Sequence, residues 1–263
     1  MTCHAWSEGR CTEEYVRHVE RALAVWGKLR PRYLPAVKRA VGVDIDVVEY
    51  AIIAHDLGKL AKAYQEGRRS EYRHEVVSAY FAYKGLEPVA EHDAAAVVAA
   101  AVLLHHEPLL TSAYISGLGE HYLPIYAVRK MLEKHAISPA CDPLGEAGKT
   151  VDKYPELMRE LERWGRGEVT AKEVLDVIKR VIALTAVGDS VRLHTMRAKT
   201  AAVLYPLVVS DSVAAHVGRA LCSKCGGGGG EGGGLGRKGG GALGLGGVNG
   251  GRLLGGVHHR GHN

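Results

Sequence analysis

The stretch AIIAHDLGKLAK, residues 51–62, places an adjacent histidine and aspartate, His55 and Asp56, inside an otherwise apolar helical sequence. Burying an ionised carboxylate without a partner costs on the order of several kcal/mol. The pair is therefore either a tolerated polar defect or part of a binding site. Polar residues on the other apolar helices decide between these two interpretations.

Apolar periodicity predicts helices along most of the chain, and no alternating strand pattern persists. The predicted helices cover residues 12–29, 45–66, 73–85, 93–106, roughly 121–135, 154–164, 170–197 and 199–220. Thr12 is the expected N-cap of the first of them. We therefore expect an all-α domain over residues 1–225.

Several of these helices carry histidine or aspartate on or beside their apolar faces. With the central pair, the set is His18, His55, Asp56, His74, His105, His106 and Asp189. Divalent cations bind neutral imidazole and carboxylate groups, and they neutralise buried anions. Seven donors exceed what one ion needs. Two ions that share a carboxylate would use all seven, and such a pair suits in-line attack on a phosphodiester.

Each residue also has a simpler explanation when it is taken alone. His18 or His74 by itself is more often an ordinary core or surface histidine. A second pair, His92-Asp93, precedes a helix, and an N-cap role for Asp93 explains it fully. The metal-site hypothesis depends on the whole set and its order along the chain.

Composition narrows the possible classes only slightly. Residues 226–263 contain glycine at 20 of 38 positions, so we expect a disordered tail there. That tail carries +3 of the net charge of +5, which leaves little electrostatic indication of nucleic-acid binding in residues 1–225. No apolar run of transmembrane length occurs, and the five scattered cysteines predict no disulfide framework, which favours the cytoplasm. The scarcity of Asn and Gln is typical of a thermophile.

The residue set resembles the HD-domain metal-dependent phosphohydrolases. More narrowly, it resembles the stand-alone HD nucleases of type I CRISPR interference, through the HDLGK block at 55–59, the histidine pair that closes a helix, and the opening AWS segment followed by a helix histidine. The resemblance covers about residues 4–200. It implies an HD-domain helical bundle around a dinuclear metal site.

The resemblance also implies a ligand scheme. His18, His55, Asp56 and Asp189 would hold one ion, and Asp56 would bridge to a second ion held by His74, His105 and His106. Lys59 lies one turn after His55, so its ammonium group could reach the phosphate. The identity of the two divalent ions stays open among Mn, Ni, Co, Fe and Mg.

The family's substrate is single-stranded DNA. Four basic residues could follow its backbone: Arg68, Arg69, Arg73 and Arg192. Because the chain has no Walker A motif, we expect a separate helicase subunit and an RNA-guided surveillance complex as partners. The alternatives are an HD phosphohydrolase acting on nucleotides or cyclic nucleotides, and a metal-stabilised adaptor without catalysis.

Overall fold

A computed structural model describes residues 2–8, 11–68, 72–106 and 125–225. The predicted glycine-rich tail lies outside these residues, so the boundary at residue 225 stays a prediction. Helices dominate the described part, which confirms the all-α fold class. In chain order they are α1 (Tyr15–Val41), α2 (Val47–Ala54), α3 (Lys62–Gln65), α4 (His74–Lys84), α5 (His92–Leu104), α6 (Ile125–Lys134), α7 (Pro143–Ala147), α8 (Pro155–Gly165), α9 (Ala171–Ala186) and α10 (Ser190–Cys225).

A short antiparallel hairpin precedes the helices. It consists of β1 (His4–Glu8) and β2 (Cys11–Glu14). Thr12 therefore lies in a strand opposite Ser7, and its predicted role as a helix N-cap is wrong. Helix α1 instead begins at Tyr15, whose buried hydroxyl donates a hydrogen bond to the Ile53 carbonyl oxygen in α2. This bond ties the start of the first helix to the segment that leads to His55.

Helix α5 lies at the centre of the bundle, in contact with α2, α4, α9 and α10. Its sequence from Ala94 to Leu104 contains only Ala, Val and Leu, and all of these residues are buried. The small alanine side chains allow neighbouring helices to approach closely, while each fully buried Val or Leu contributes about 1.5–3 kcal/mol. The apolar helix thereby forms the scaffold on which its two terminal histidines are held.

The helix predicted over residues 45–66 is interrupted at the HDLGK block. Helix α2 ends at Ala54, and Leu57–Leu60 form a tight 3₁₀ turn before α3. Gly58 explains the tight turn, because a Cβ atom there would lie 2.0 Å from the carbonyl oxygen of His74. Its amide also donates to the Ser78 hydroxyl over 2.9 Å. The turn is thus pressed directly against the start of α4.

The two late helices divide at a different point from the predicted one. Helix α9 ends at Ala186 and α10 begins at Ser190, whereas a single helix was expected over 170–197. Gly188 lies between them with φ at +143°, a backbone conformation that L side chains rarely adopt. Helix α10 then continues without the expected break near residue 198.

One described helix has the length and composition of a membrane span, namely the segment Ser190–Cys222 of α10. Its inner side packs against α1 and α5 and buries Met196, Val203, Leu207 and Ala214. Core helices of water-soluble proteins meet the same length and composition criterion. The segment therefore does not by itself indicate a membrane protein.

A disulfide joins Cys3 to Cys141, with 6.1 Å between the two Cα atoms. The expectation that the cysteines form no disulfide is therefore wrong. Sequence spacing could not reveal this pair, because 138 positions separate its members and only the fold brings them together. The bond connects the residue that precedes β1 to a loop in which the Ala140 amide donates to the Leu60 carbonyl oxygen.

Gly58→Ala should destabilise the protein, because the added methyl group would collide with the α4 backbone. We expect a loss of about 1–3 kcal/mol in the free energy of unfolding, measured by urea denaturation. Gly27→Ala is the matched control, since nothing lies within 4 Å of its Cβ position in α1 and alanine favours a helix interior. Equal effects of the two substitutions would contradict the close approach.

Breaking the Cys3–Cys141 disulfide should lower the free energy of unfolding by about 2–4 kcal/mol, because the bond restricts the unfolded chain. Cys222 is also disulfide-bonded, so serine variants are better suited than a reductant. Cys3→Ser, Cys141→Ser and the double variant should lose the same stability in denaturant titrations. Additive losses would mean that the two cysteines act separately.

Candidate metal centre

Three helix ends meet at one point and present histidines to it. His55 follows the last residue of α2, His105 follows the last residue of α5, and His74 is the first residue of α4. His18 approaches from the first turn of α1, with its ring centroid 5.6 Å from that of His55. The structure thus brings together histidines that lie far apart in the sequence.

Asp56 occupies the middle of this histidine cluster and has no solvent exposure. Its Oδ1 atom lies 3.3 Å from His74 Nε2 and 3.8 Å from His105 Nε2. Its Oδ2 atom lies 3.3 Å from His55 Nε2 and 3.5 Å from His18 Nε2. The two carboxylate oxygens therefore face two different groups of imidazoles, which is the arrangement that a bridging ligand needs.

Backbone contacts fix which nitrogen of two histidines faces the aspartate. His55 Nδ1 and His105 Nδ1 each lie 2.6 Å from a carbonyl oxygen three residues earlier, Ile52 and Val102 respectively. A carbonyl oxygen can only accept, so each Nδ1 carries the proton and each Nε2 presents a lone pair. This is the tautomer that binds a cation through Nε2.

The cluster contains buried polar atoms with no hydrogen-bond partner among the described residues. These atoms are His55 Nε2, Asp56 Oδ1, His74 Nε2 and His105 Nε2. Leaving such atoms unsatisfied costs about 1–3 kcal/mol each. All four belong to two sets whose donor atoms lie within 4.8 Å of one another. The residues present therefore fit divalent cations, which would satisfy these atoms.

The two sets share Asp56 and differ from the expected scheme at one residue. One set contains Asp56, His74, His105 and His106, as expected. The other contains His18, His55, Asp56 and Asp211. Asp189 belongs to neither of them, and Asp211 stands where Asp189 was expected.

Asp189 has a structural role at the N-terminus of α10. Its Oδ1 atom accepts a hydrogen bond from the Arg192 amide over 2.9 Å, so it caps the helix N-terminus. Asp211 comes 22 residues later in the sequence, which corresponds to about 33 Å along a helix. The assignment of Asp189 to the metal site is therefore corrected to Asp211, whose Oδ1 lies 2.9 Å from His18 Nε2.

A sequence signal for Asp211 was present. It is the one acidic residue in the apolar segment from Thr200 to Cys222, the same pattern that draws attention to Asp56. The sequence around Asp189 has the pattern of a continuous late helix, but Gly188 interrupts the helix there. The break between α9 and α10 thus determines which aspartate reaches the site.

Lys59 lies within the cluster and not on a solvated helix surface. It is 7% exposed, and its Nζ atom donates to Asp56 Oδ2 over 2.7 Å. Burial lowers the pKa of Lys59, but the charge of Asp56 outweighs burial and raises it above the ordinary value. The ammonium group therefore stays protonated beside the shared carboxylate.

The described arginines of the predicted substrate-binding set already have acidic partners. Arg73 pairs with Glu75 at 2.7 Å, and the exposed Arg68 lies 3.7 Å from Glu66. Arg192 pairs with Asp93 at the start of α5, the end opposite His105, so the structure does not bring it to the site. Arg69 lies outside the described residues.

The pKa shifts in the cluster combine the effect of burial with that of the neighbouring charges. Burial raises the pKa of Asp56, yet the nearby His55 and Lys59 outweigh burial and hold it well below the ordinary value. Burial lowers the pKa of His105, but contact with Asp56 raises it overall. Burial lowers the pKa of His74, and burial together with His105 lowers that of His106 to about 2. The shifts of Asp56, His74 and His106 thus favour an ionised carboxylate and neutral rings, the forms that bind metals.

Solvent reaches the cluster mainly from one side. The side chain of His106 is 38% exposed and that of His74 is 11% exposed. The His55, Asp56 and His105 side chains are fully enclosed. His106 is therefore the most exposed member of the set that also holds Asp56, His74 and His105.

Comparisons with known proteins point to one family. The HD domain family matches residues 15–141. A CRISPR-associated endonuclease Cas3-HD from Thermoproteus tenax is 37% identical over 81% of this chain and 89% of its own length. A protein of the same name from Pyrococcus furiosus is 28% identical over 80% and 90%. The solved structure of a CRISPR-associated Cas3 HD domain protein from Methanocaldococcus jannaschii covers 74% of this chain and 95% of its own, with a TM-score of 0.51 and 24% identity; it is similar in fold.

Asp211→Asn should weaken the binding of one divalent ion, whereas Asp189→Asn should leave binding unchanged. Mutation of a group that hydrogen-bonds to a metal ligand lowers metal affinity by about 10–100-fold. Removal of a ligand itself should therefore lower the affinity by at least about 10-fold. Titration of metal-free protein with Mn²⁺ in a calorimeter measures both affinities. Asn caps a helix as well as Asp does, so the Asp189 variant controls for charge without loss of stability. A larger effect at Asp189 would reverse the assignment.

Proposed function

The chain belongs to the Cas3-HD family of HD-domain proteins, and we propose that it is a metal-dependent nuclease that cleaves single-stranded DNA in CRISPR antiviral interference. The resemblance stated from the sequence is confirmed at the level of the family. A hydrolase function follows from membership in that family. The type of substrate, the number of metal ions and the partners are the proposed elements.

The geometry of Asp56 carries the proposal. One carboxylate oxygen faces His74 and His105, while the other faces His18 and His55, all within 3.8 Å. A single ion cannot use both faces with all of these donors, whereas two ions can. Paired divalent ions, when bound, stabilise the attacking and leaving oxygens of a phosphodiester and lower the pKa of water.

Charge balance favours an anionic substrate. The proposed ligands contain two carboxylates, Asp56 and Asp211, and five histidines that bind as neutral rings. Two divalent ions would therefore exceed the charge of their ligands by two, and the Lys59 ammonium adds to the excess. A phosphodiester carries a negative charge and would be attracted to such a site.

Lys59 is proposed to act together with the shared carboxylate. In the structure its ammonium group donates a hydrogen bond to Asp56 Oδ2. From this position it can stabilise negative charge that develops on the phosphate, as electrostatic catalysis requires. Asp56 and Lys59 are thus the proposed catalytic residues, and His106 lies at the opening through which the strand enters.

The wider context of the activity rests on the relatives. Their names describe CRISPR-associated endonucleases, and this chain spans 89% and 90% of the length of two of them. We propose that a separate helicase supplies the single strand and that an RNA-guided complex selects it, in the cytoplasm. Arg68 and Arg73 precede His74 in the sequence and remain the proposed contacts to the strand, although their present partners are acidic side chains.

The decisive experiment uses metal-free protein, single metals (Mn, Ni, Co, Fe or Mg ions) and four substrates: circular single-stranded DNA, duplex DNA, RNA and nucleotides. Cleavage of the circular single strand should require a metal. Asp56→Asn should reduce it by on the order of 100-fold or more, the scale expected when a group that stabilises transition-state charge is removed. Asp189→Asn should cleave like the wild type.

Each other outcome has a distinct meaning. Cleavage that survives Asp56→Asn would contradict the proposed site. Hydrolysis of nucleotides without cleavage of DNA would replace the proposal with a nucleotide phosphohydrolase. Absence of activity with all five metals would favour an adaptor protein.

A further inference from the structure

A buried carboxylate lies behind one of the site histidines. Glu75 is 3% exposed, and its Oε2 atom lies 3.3 Å from His74 Nδ1. His74 Nε2 lies on the other side of the ring, 3.3 Å from Asp56 Oδ1. The imidazole is therefore placed between two carboxylates, with one nitrogen directed towards each.

The position of His74 in its helix explains why it uses a side-chain partner. His55 and His105 follow the last turns of α2 and α5, where carbonyl oxygens of the preceding turn accept from their Nδ1 atoms. His74 is the first residue of α4, so no helical turn precedes it. An acceptor for Nδ1 therefore has to come from a side chain, and the next residue, Glu75, places its Oε2 atom 3.3 Å from that nitrogen.

Glu75 is itself held in place. Arg73 Nε donates to Glu75 Oε1 over 2.7 Å, and the guanidinium also contacts that oxygen through Nη2. The arginine neutralises the buried carboxylate and leaves Oε2 directed at the histidine. Arg73 and Glu75 therefore form a unit behind His74, and the arginine has a function in the protein apart from any contact with a substrate.

We infer that Glu75 is a positioning residue for the metal centre: its carboxylate keeps the proton of His74 on Nδ1 and directs Nε2 at the ion that Asp56 shares with His74. This inference deepens the proposed function and rests on it. Carboxylates that accept from a metal-bound histidine fix the ring orientation and raise the basicity of the ligand. The inference is restricted to Glu75, since Glu13, the carboxylate nearest to His18 Nδ1, lies beyond hydrogen-bond distance at 3.7 Å.

The effect should be confined to one of the two ions, because His74 belongs to one of the two donor sets. Glu75→Ala should weaken the binding of one Mn²⁺ by about 10–100-fold, the range measured for outer-sphere partners. Glu75→Gln retains an amide oxygen as acceptor and should lose less. The second ion should bind as in the wild type.

The test is calorimetric titration of the metal-free full chain with Mn²⁺, followed by visible absorption spectra with Co²⁺, which report ligand geometry without any assay of activity. Glu160→Gln is the matched control: Glu160 is also buried and paired with an arginine, but it accepts from Tyr80 away from the cluster. Thermal denaturation of the metal-free variants measures any purely structural effect.

The outcomes separate this inference from the proposed function. If the wild type does not bind two ions, the proposed function fails. If the wild type binds two and the Glu75 variants bind both equally well with an unchanged Co²⁺ spectrum, only the role of Glu75 is overturned. Equal weakening of both ions, with a lower melting temperature, would also overturn it by making Glu75 a structural residue. If Glu75→Ala does not fold, the Mn²⁺ affinities and the Co²⁺ spectrum of Glu75→Gln test the inference in its place.

Discussion

The enclosed carboxylate of Asp56 is the constraint on which the rest of the structure depends. A buried, ionised carboxylate is tolerated only where opposite charges or hydrogen-bond donors compensate for the loss of its hydration. Here the compensation comes from the Lys59 ammonium at 2.7 Å and from four imidazole rings around both oxygens. The helix ends, the tight turn and the apolar core all serve to hold those groups against it.

Helix termination is the means by which the fold builds the centre. The helix expected over residues 45–66 ends at Ala54, directly before His55 and Asp56. The 3₁₀ turn at Leu57–Leu60 and the missing side chain of Gly58 instead bring this segment against His74. The apolar α5 places His105 and His106 at its end in the same way. Local backbone geometry and metal-site chemistry are therefore linked at the HDLGK block.

The sequence was informative where chemistry and pattern coincided. The HD pair, the histidine pair after an apolar helix, and the helical periodicity predicted the all-α bundle and six of the seven members of the donor sets. The seventh member is Asp211, whereas the sequence pattern favours Asp189. The difference depends on where the long helix α10 begins, and Gly188, with its positive φ, lies at that point. The Cys3–Cys141 bond and the Glu75 contact depend on tertiary proximity, which spacing alone does not encode.

Asp56 is proposed to bridge two metal ions. Electron paramagnetic resonance of the metal-free protein loaded with two equivalents of Mn²⁺ tests it directly, because ions that share a carboxylate are magnetically coupled. We expect an exchange-coupled spectrum in the wild type and in Asp189→Asn, and loss of the coupling in Asp56→Asn. A wild-type spectrum of isolated Mn²⁺ ions at full loading would contradict it.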